Sequence, residues 1–149
     1  MTSGARVGLV GCSAQKLDHA APTRELYVSQ LFKKASAYAE ATCDRWYILS
    51  AKHGLIHPDT VTAPYDMRLG TSTGPNMAAW TAMVRAQLVN ALSDAASPTL
   101  VALCGAQYRK ALTGTPWAAE IPMAGMGIGH QLGYLTTELN RLYPEKDHE

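Results

Sequence analysis

Five short segments of this sequence gather side chains able to bind or activate a small polar substrate. GCSAQK, from Gly11 to Lys16, offers a small-residue turn, the Ser13 hydroxyl and the Lys16 cation, a set that holds a phosphate or sugar oxygen or else forms an ordinary turn with a surface lysine. Cys12 invites comparison with cysteine phosphatases, but these need an arginine six residues on, and position 18 is Asp18. With no partner base in sight, Cys12 reads as a small buried residue beside a binding turn. SAKHGL, from Ser50 to Leu55, sets Lys52 and His53 side by side before Gly54, where they contact a phosphate, protonate a leaving group or stay solvated. In PYD, Pro64 stiffens the approach to Tyr65 and Asp66, a ring to stack on a base and a carboxylate to orient water, or an aromatic loop anchor.

Two further segments carry both a chemical and a structural reading. Glu25 in ELY, ahead of Tyr27, is either a reacting carboxylate or an acid favoured by the positive end of a helix. GMGIGHQ, from Gly125 to Gln131, can present backbone N–H groups at Gly127 and Gly129 to an anion, with His130 as a proton donor or a plain helix-start residue. It is not the dinucleotide fingerprint, because His130 stands where the third glycine belongs.

These segments need a frame, and the run of apolar residues supplies one. Residues 5–12, 45–51 and 99–105 are short, Val/Leu/Ile-rich and closed by Gly or Ser, as strands buried on both faces are; 119–125 reads as a weaker fourth. Between them the spacing predicts a helix over 23–42, one capped by Asn76 with the stripe Trp80, Val84, Leu88 and Leu92, a short piece over 107–112, and a last helix on Leu132, Leu135, Leu139 and Leu142. Lys52 to Pro75 has no period and many Pro and Gly breaks, so it reads as a long functional loop, able to act as a lid. The tail PEKDHE reads as frayed. Alternating strands and helices imply an α/β three-layer sandwich around a central four-stranded parallel sheet. In such sheets ligands bind beyond the carboxyl ends of the strands, which here are 11–16, 50–59, 104–108 and 123–131.

Composition narrows the function classes. At 149 residues, with 47% hydrophobic and 17% charged, the chain suits one globular domain over 1–149. A net charge of +1 argues against a large nucleic-acid-wrapping role, although residues 1–55 hold seven Lys/Arg against four Asp/Glu. Three scattered cysteines, Cys12, Cys43 and Cys104, read as reduced thiols, and with no signal-peptide pattern or membrane-length apolar run they imply a cytoplasmic protein. His19, His53, His57, His130 and His148 lack paired metal-ligand spacing, so neither a metal nor another cofactor is expected.

Taken together, LVGCSAQKLD, RELYVSQLFKKASAYAE, RWYILSAKHGLIHPDT, APYDMRL and GMGIGHQL resemble a family of small bacterial and phage domains related to the peroxide-stress protein YaaA and, more distantly, to the uracil-DNA glycosylase fold. The resemblance runs from about Val7 to Leu135. It implies cleavage of an N-glycosidic bond, with Asp66 or Glu25 as carboxylate, Lys52 or His53 as donor to the departing base, Tyr65 or Tyr27 as stacking surface, and Ser13 with Lys16 on phosphate. The remaining binding candidates on the same strand ends are Cys12, Ser50, Gly127, Gly129 and His130. The Gly-Gln-Asp-Pro-Tyr segment of the uracil enzymes is replaced by residues 11–16 and their His-Pro-Ser-Pro segment is absent, so uracil specificity is not carried over. The expected substrate is a modified base in DNA or a nucleotide. The alternative expectation is a noncatalytic nucleic-acid or nucleotide binder in stress response or phage conflict.

Overall fold

A computed structural model describes residues 4–144. The chain runs β1 (Arg6–Gly11), β2 (Ala21–Pro22), α1 (Thr23–Leu26), α2 (Gln30–Thr42), β3 (Arg45–Ser50), β4 (Gly54–Ile56), β5 (Val61–Thr62), α3 (Met77–Ala91), β6 (Thr99–Leu103), α4 (Ala106–Arg109), β7 (Ala118–Glu120) and α5 (Ile128–Leu142), with a single 3-10 turn at Lys110–Leu112 after α4. The sheet order is β4-β3-β1-β6-β7. The strands β3, β1, β6 and β7 are parallel, and they are the four that the sequence marks out. The sheet is nevertheless five-stranded, because β4 folds back antiparallel on β3.

Strand alternation divides the core into two layers. Val7, Leu9, Leu49, Leu100 and Ala102 face α3, where Trp80, Val84 and Leu88 form the buried stripe. Val10, Trp46, Ile48, Val101 and Leu103 face α2 and α5 with Phe32, Ala35, Ala39 and Leu135. Helices thus cover both faces, as alternating strands and helices require. The central strand β1 lies close under α2 because residue 8 has no side chain: a Cβ on Gly8 would sit 3.0 Å from that of Ala39.

Three sequence expectations need correction. The helix over 23–42 is two helices, since the chain turns extended at Tyr27 and restarts at Ser29, whose hydroxyl accepts the Phe32 N–H. The fourth strand stops at Glu120, and 121–126 turn back through Ala124 N–H to Ile121 and Met126 N–H to Met123. The long loop holds structure of its own. Gly54, at φ 72°, turns the chain into β4, and the Gln87 amide holds that strand by accepting from Leu55 N–H at 2.7 Å and donating to the His53 carbonyl at 3.0 Å. Further on, β5 pairs with β2, and the buried Thr23 and Thr62 hydroxyls meet at 2.8 Å. The tail beyond Pro144, His148 included, lies outside the described residues. Among the described residues no helix is long and apolar enough to cross a membrane.

The α3 stripe sets the stability of its face. Leu88 is fully buried, so Leu88→Ala is expected to cost about 2–5 kcal/mol, read as a lowered urea midpoint at unchanged m-value.

Candidate functional site

The strand order reverses between β1 and β6, because the connection leaving β1 leads to β3 on one side and the one leaving β6 leads to β7 on the other. That is the place where open α/β sheets hold ligands. Two clefts flank it. One, of 290 Å³, lies between the ends of β1 and β6 and the starts of α2 and α5; the other, of 270 Å³, lies under residues 67–69. Cys12, Ser13 and Tyr108 line both, so they form the wall between them.

Behind that wall runs a chain of hydroxyls. Ser50 is fully buried at the end of β3, and its Oγ accepts the N–H groups of Lys52 and His53 at 3.2 and 3.1 Å. Both lone pairs are then taken, so the Ser50 proton must go to the Tyr65 hydroxyl, 2.6 Å away. Tyr65 in turn donates to Tyr27 at 2.6 Å. Burial pushes the Tyr27 phenol up to about 12 and raises that of Tyr65 as well, so both are neutral donors at ordinary pH. The Ser50 carbonyl meanwhile accepts the indole N–H of Trp80 at 3.0 Å. Trp80 packs edge-on against Tyr108, whose hydroxyl lies 3.2 Å from Cys12 Sγ. Burial raises the Tyr108 phenol too.

Lys16 completes the cluster. Its Nζ stands 4.5 Å from the centre of the Tyr65 ring and 5.7 Å from that of Tyr27, and it donates to the Ala14 carbonyl at 3.3 Å. A bridge between Lys16 and Tyr27 fixes the backbone beneath it, with Leu17 N–H on Leu26 and Val28 N–H on Gln15. Burial lowers the Lys16 ammonium below its ordinary range; the nearby Cys12 and Asp66 oppose that shift, and Arg68 adds to it. An ammonium of lowered pKa is a better proton donor, and Asp66 is the carboxylate within its electrostatic reach.

The structure therefore brings Cys12, Ser13, Lys16, Tyr27, Ser50, Tyr65 and Asp66 together, with Lys52 and His53 on the adjoining hairpin. Their surroundings differ from the stacking and acid roles assigned by type. Tyr27 is 1% exposed, so its ring offers no stacking face and it acts through its hydroxyl. Ser50 binds within the protein and is closed to solvent. His53 lies edge-on to Tyr65 at 5.5 Å, and burial, then Lys52, lowers its pKa, so it is neutral at pH 7 and suits accepting a proton. Glu25 is exposed on α1, and no hydrogen bond among the described residues ties it to the cluster. Gly127, Gly129 and His130 are exposed at the start of α5, whose Ile128 and Gln131 line the 290 Å³ cleft. A larger groove of 410 Å³ lies along the hairpin of Lys52 and His53 and is lined by neither Cys12 nor Lys16.

Tyr108, Arg68 and Gln131 are the residues that type and spacing did not single out. Tyr108 and Gln131 do stand on strand-end segments, which was the available signal. Among the described residues no group of three His, Cys, Asp or Glu side chains is placed to hold a metal ion.

Comparison with known proteins covers most of the chain. A family model described as "Family of unknown function (DUF6884)" matches residues 7–137. The chain is also similar to "Uncharacterized protein YfjM" of Bacillus subtilis (strain 168), at 30% identity over 148 residues, covering 95% of this chain and 97% of that protein. No solved structure matches significantly.

Two measurements test this geometry. Tyr65→Phe removes the hydroxyl between two buried partners and is expected to cost about 1–3 kcal/mol in chemical denaturation. The His53 ring is expected to titrate below the ordinary 6.5 in an NMR pH series. Its stabilising share is complete above 6.5 and is lost as pH falls from 6.5 through the folded value, because there the unfolded chain binds the proton more readily.

Proposed function

The chain belongs to DUF6884, a family of unknown function, and we propose that it is an N-glycosidase acting on a nucleobase in DNA or in a nucleotide, on a fold of the uracil-DNA glycosylase type. The observation that carries this reading is the half-buried Lys16 ammonium 4.5 Å from the centre of the Tyr65 ring, with Asp66 next to Tyr65 in the chain and within electrostatic reach of Lys16, on segments whose neighbours Ala14 and Met67 line a cleft at the sheet's switch point. Breaking a base–sugar bond leaves the bond's electron pair on the base and positive charge on the sugar. The carboxylate stabilises that charge and orients the water that adds to the sugar carbon. A cation delivers a proton to the departing base. Lys16, partly desolvated and within electrostatic reach of Asp66, suits that step; Lys52, exposed on the hairpin, suits a phosphate. Arg68 and the Ser13 hydroxyl, both on the wall of the 270 Å³ cleft, add to an anion-binding margin. Neutral His53 can take the proton that the attacking water releases.

A second reading, a noncatalytic nucleotide or nucleic-acid binder, is favoured by one feature: Asp66 is exposed, whereas a reacting carboxylate is commonly desolvated. Base release separates the two readings. DNA and nucleotides carrying canonical, deaminated and hypermodified bases are incubated with the protein, and free base is identified by mass spectrometry. Wild type is expected to release one base, Asp66→Ala and Lys16→Met to lower the rate by about 10²- to 10⁴-fold, and Lys33→Ala, an exposed change on α2, to leave it unaltered. Binding without release from any substrate would move the assignment to the second reading.

A further inference from the structure

The 290 Å³ cleft has a composition that goes beyond its position. It lies at the small end of ligand pockets, with room for a single ring system and its first substituents. Its walls are apolar and include an aromatic ring: Leu31 and Phe32 from α2, Leu103 at the end of β6, and Met123 from the turn after β7. The polar groups at its rim are few and half committed. The Gln131 amide donates from Nε2 to the Met126 carbonyl at 2.8 Å, which fixes the carboxamide and leaves Oε1 as an acceptor. Ser29 Oγ accepts the Phe32 N–H, which leaves its own O–H as a donor. One acceptor and one donor on a narrow apolar slot match the edge of a heteroaromatic base that carries an N–H beside a lone pair.

Gly105 lies on the exposed lip of the slot, and the space beside it can be read directly. A Cβ built there meets nothing within 4 Å, and the backbone, at φ −71° and ψ 171°, is one that any residue adopts. Nothing in the fold requires glycine at this position. A large side chain on this lip would narrow the entrance to the slot.

We infer that this cleft is the pocket for the base itself, with Gln131 Oε1 receiving a base N–H and Gly105 keeping the mouth open. The inference rests on the nucleobase reading above and deepens it: the base inserts between α2 and α5, while sugar and phosphate stay on the Cys12 and Ser13 side, within reach of Lys16 and Asp66.

The test is binding of nucleosides, without any chemistry, by calorimetry. Three pairs differ in whether an edge N–H is present: adenosine and purine riboside, cytidine and 2-pyrimidinone riboside, uridine and 3-methyluridine. In at least one pair the N–H member is expected to bind about five- to a hundredfold more tightly, the range for one hydrogen bond left unmade. Gln131→Leu is expected to erase that difference, and Gly105→Leu to abolish binding at unchanged melting temperature. Binding by Gly105→Leu equal to wild type, no distinction within any pair, or no nucleoside bound at all would overturn the inference. Base release that survives Gly105→Leu would remove this pocket and leave the glycosidase; N–H-dependent binding with no base release from any substrate would do the reverse.

Discussion

Ser50 is the point through which the rest of the site is held. It sits with no exposed surface at the carboxyl end of β3, and each of its polar atoms is used by a different part of the chain. The hydroxyl gathers the hairpin N–H groups and passes its proton to Tyr65, so the turn and the loop beyond it share one anchor. The carbonyl takes the Trp80 indole and so orients the helix on the opposite layer, and through it the ring of Tyr108. A buried polar group left without partners costs more than the bonds it makes contribute, so the arrangement holds as a unit. Among the described residues no buried side-chain nitrogen or oxygen lacks a partner.

The two faces of the sheet are packed to different ends. Under α3 the core is closed, with Trp80, Val84 and Leu88 each 1% exposed or less. Under α2 and α5 it opens at the strand ends, because the helix that follows β1 is interrupted at residues 27–29. That break turns Tyr27 inward toward Tyr65 and delays the start of α2, so Ser29 and Leu31 border a cleft instead of filling it.

The parallel strands and their helices were legible because buried runs and 3.6-residue stripes are strong patterns: Leu9, Ile48 and Val101 stand where alternation puts them, and Asn76 caps α3 as its type suggests. The α1/α2 break was hidden because no Pro or Gly stands between Leu26 and Leu31 to mark it. The strand β4 was hidden because three residues show no period, and its partner at the edge is the amide of Gln87, distant in sequence. In the site, Lys16, Tyr65 and Asp66 were visible as types. What sequence does not convey is burial and contact: Tyr27 and Ser50 turn out to be internal, and Tyr108 enters only through its contacts with Trp80 and Cys12.

The position of β1 in the sheet also orders assembly in time. Its neighbours are β3, some 40 residues further on, and β6, some 90 residues further on. A chain emerging from the ribosome can close the first pair as soon as β3 is out, giving a β–α–β unit with α2 folded over it. The other flank of β1 then waits for about 50 further residues, since loop closure over the longer distance must precede any reward from the contact. Cys12 and Ser13 are therefore among the first groups placed, and Tyr108, Gly105 and Gln131 among the last. The half-finished sheet holds Lys16 and Tyr65 but has no second wall, so the crevice exists only once residues as far as Gln131 have been made.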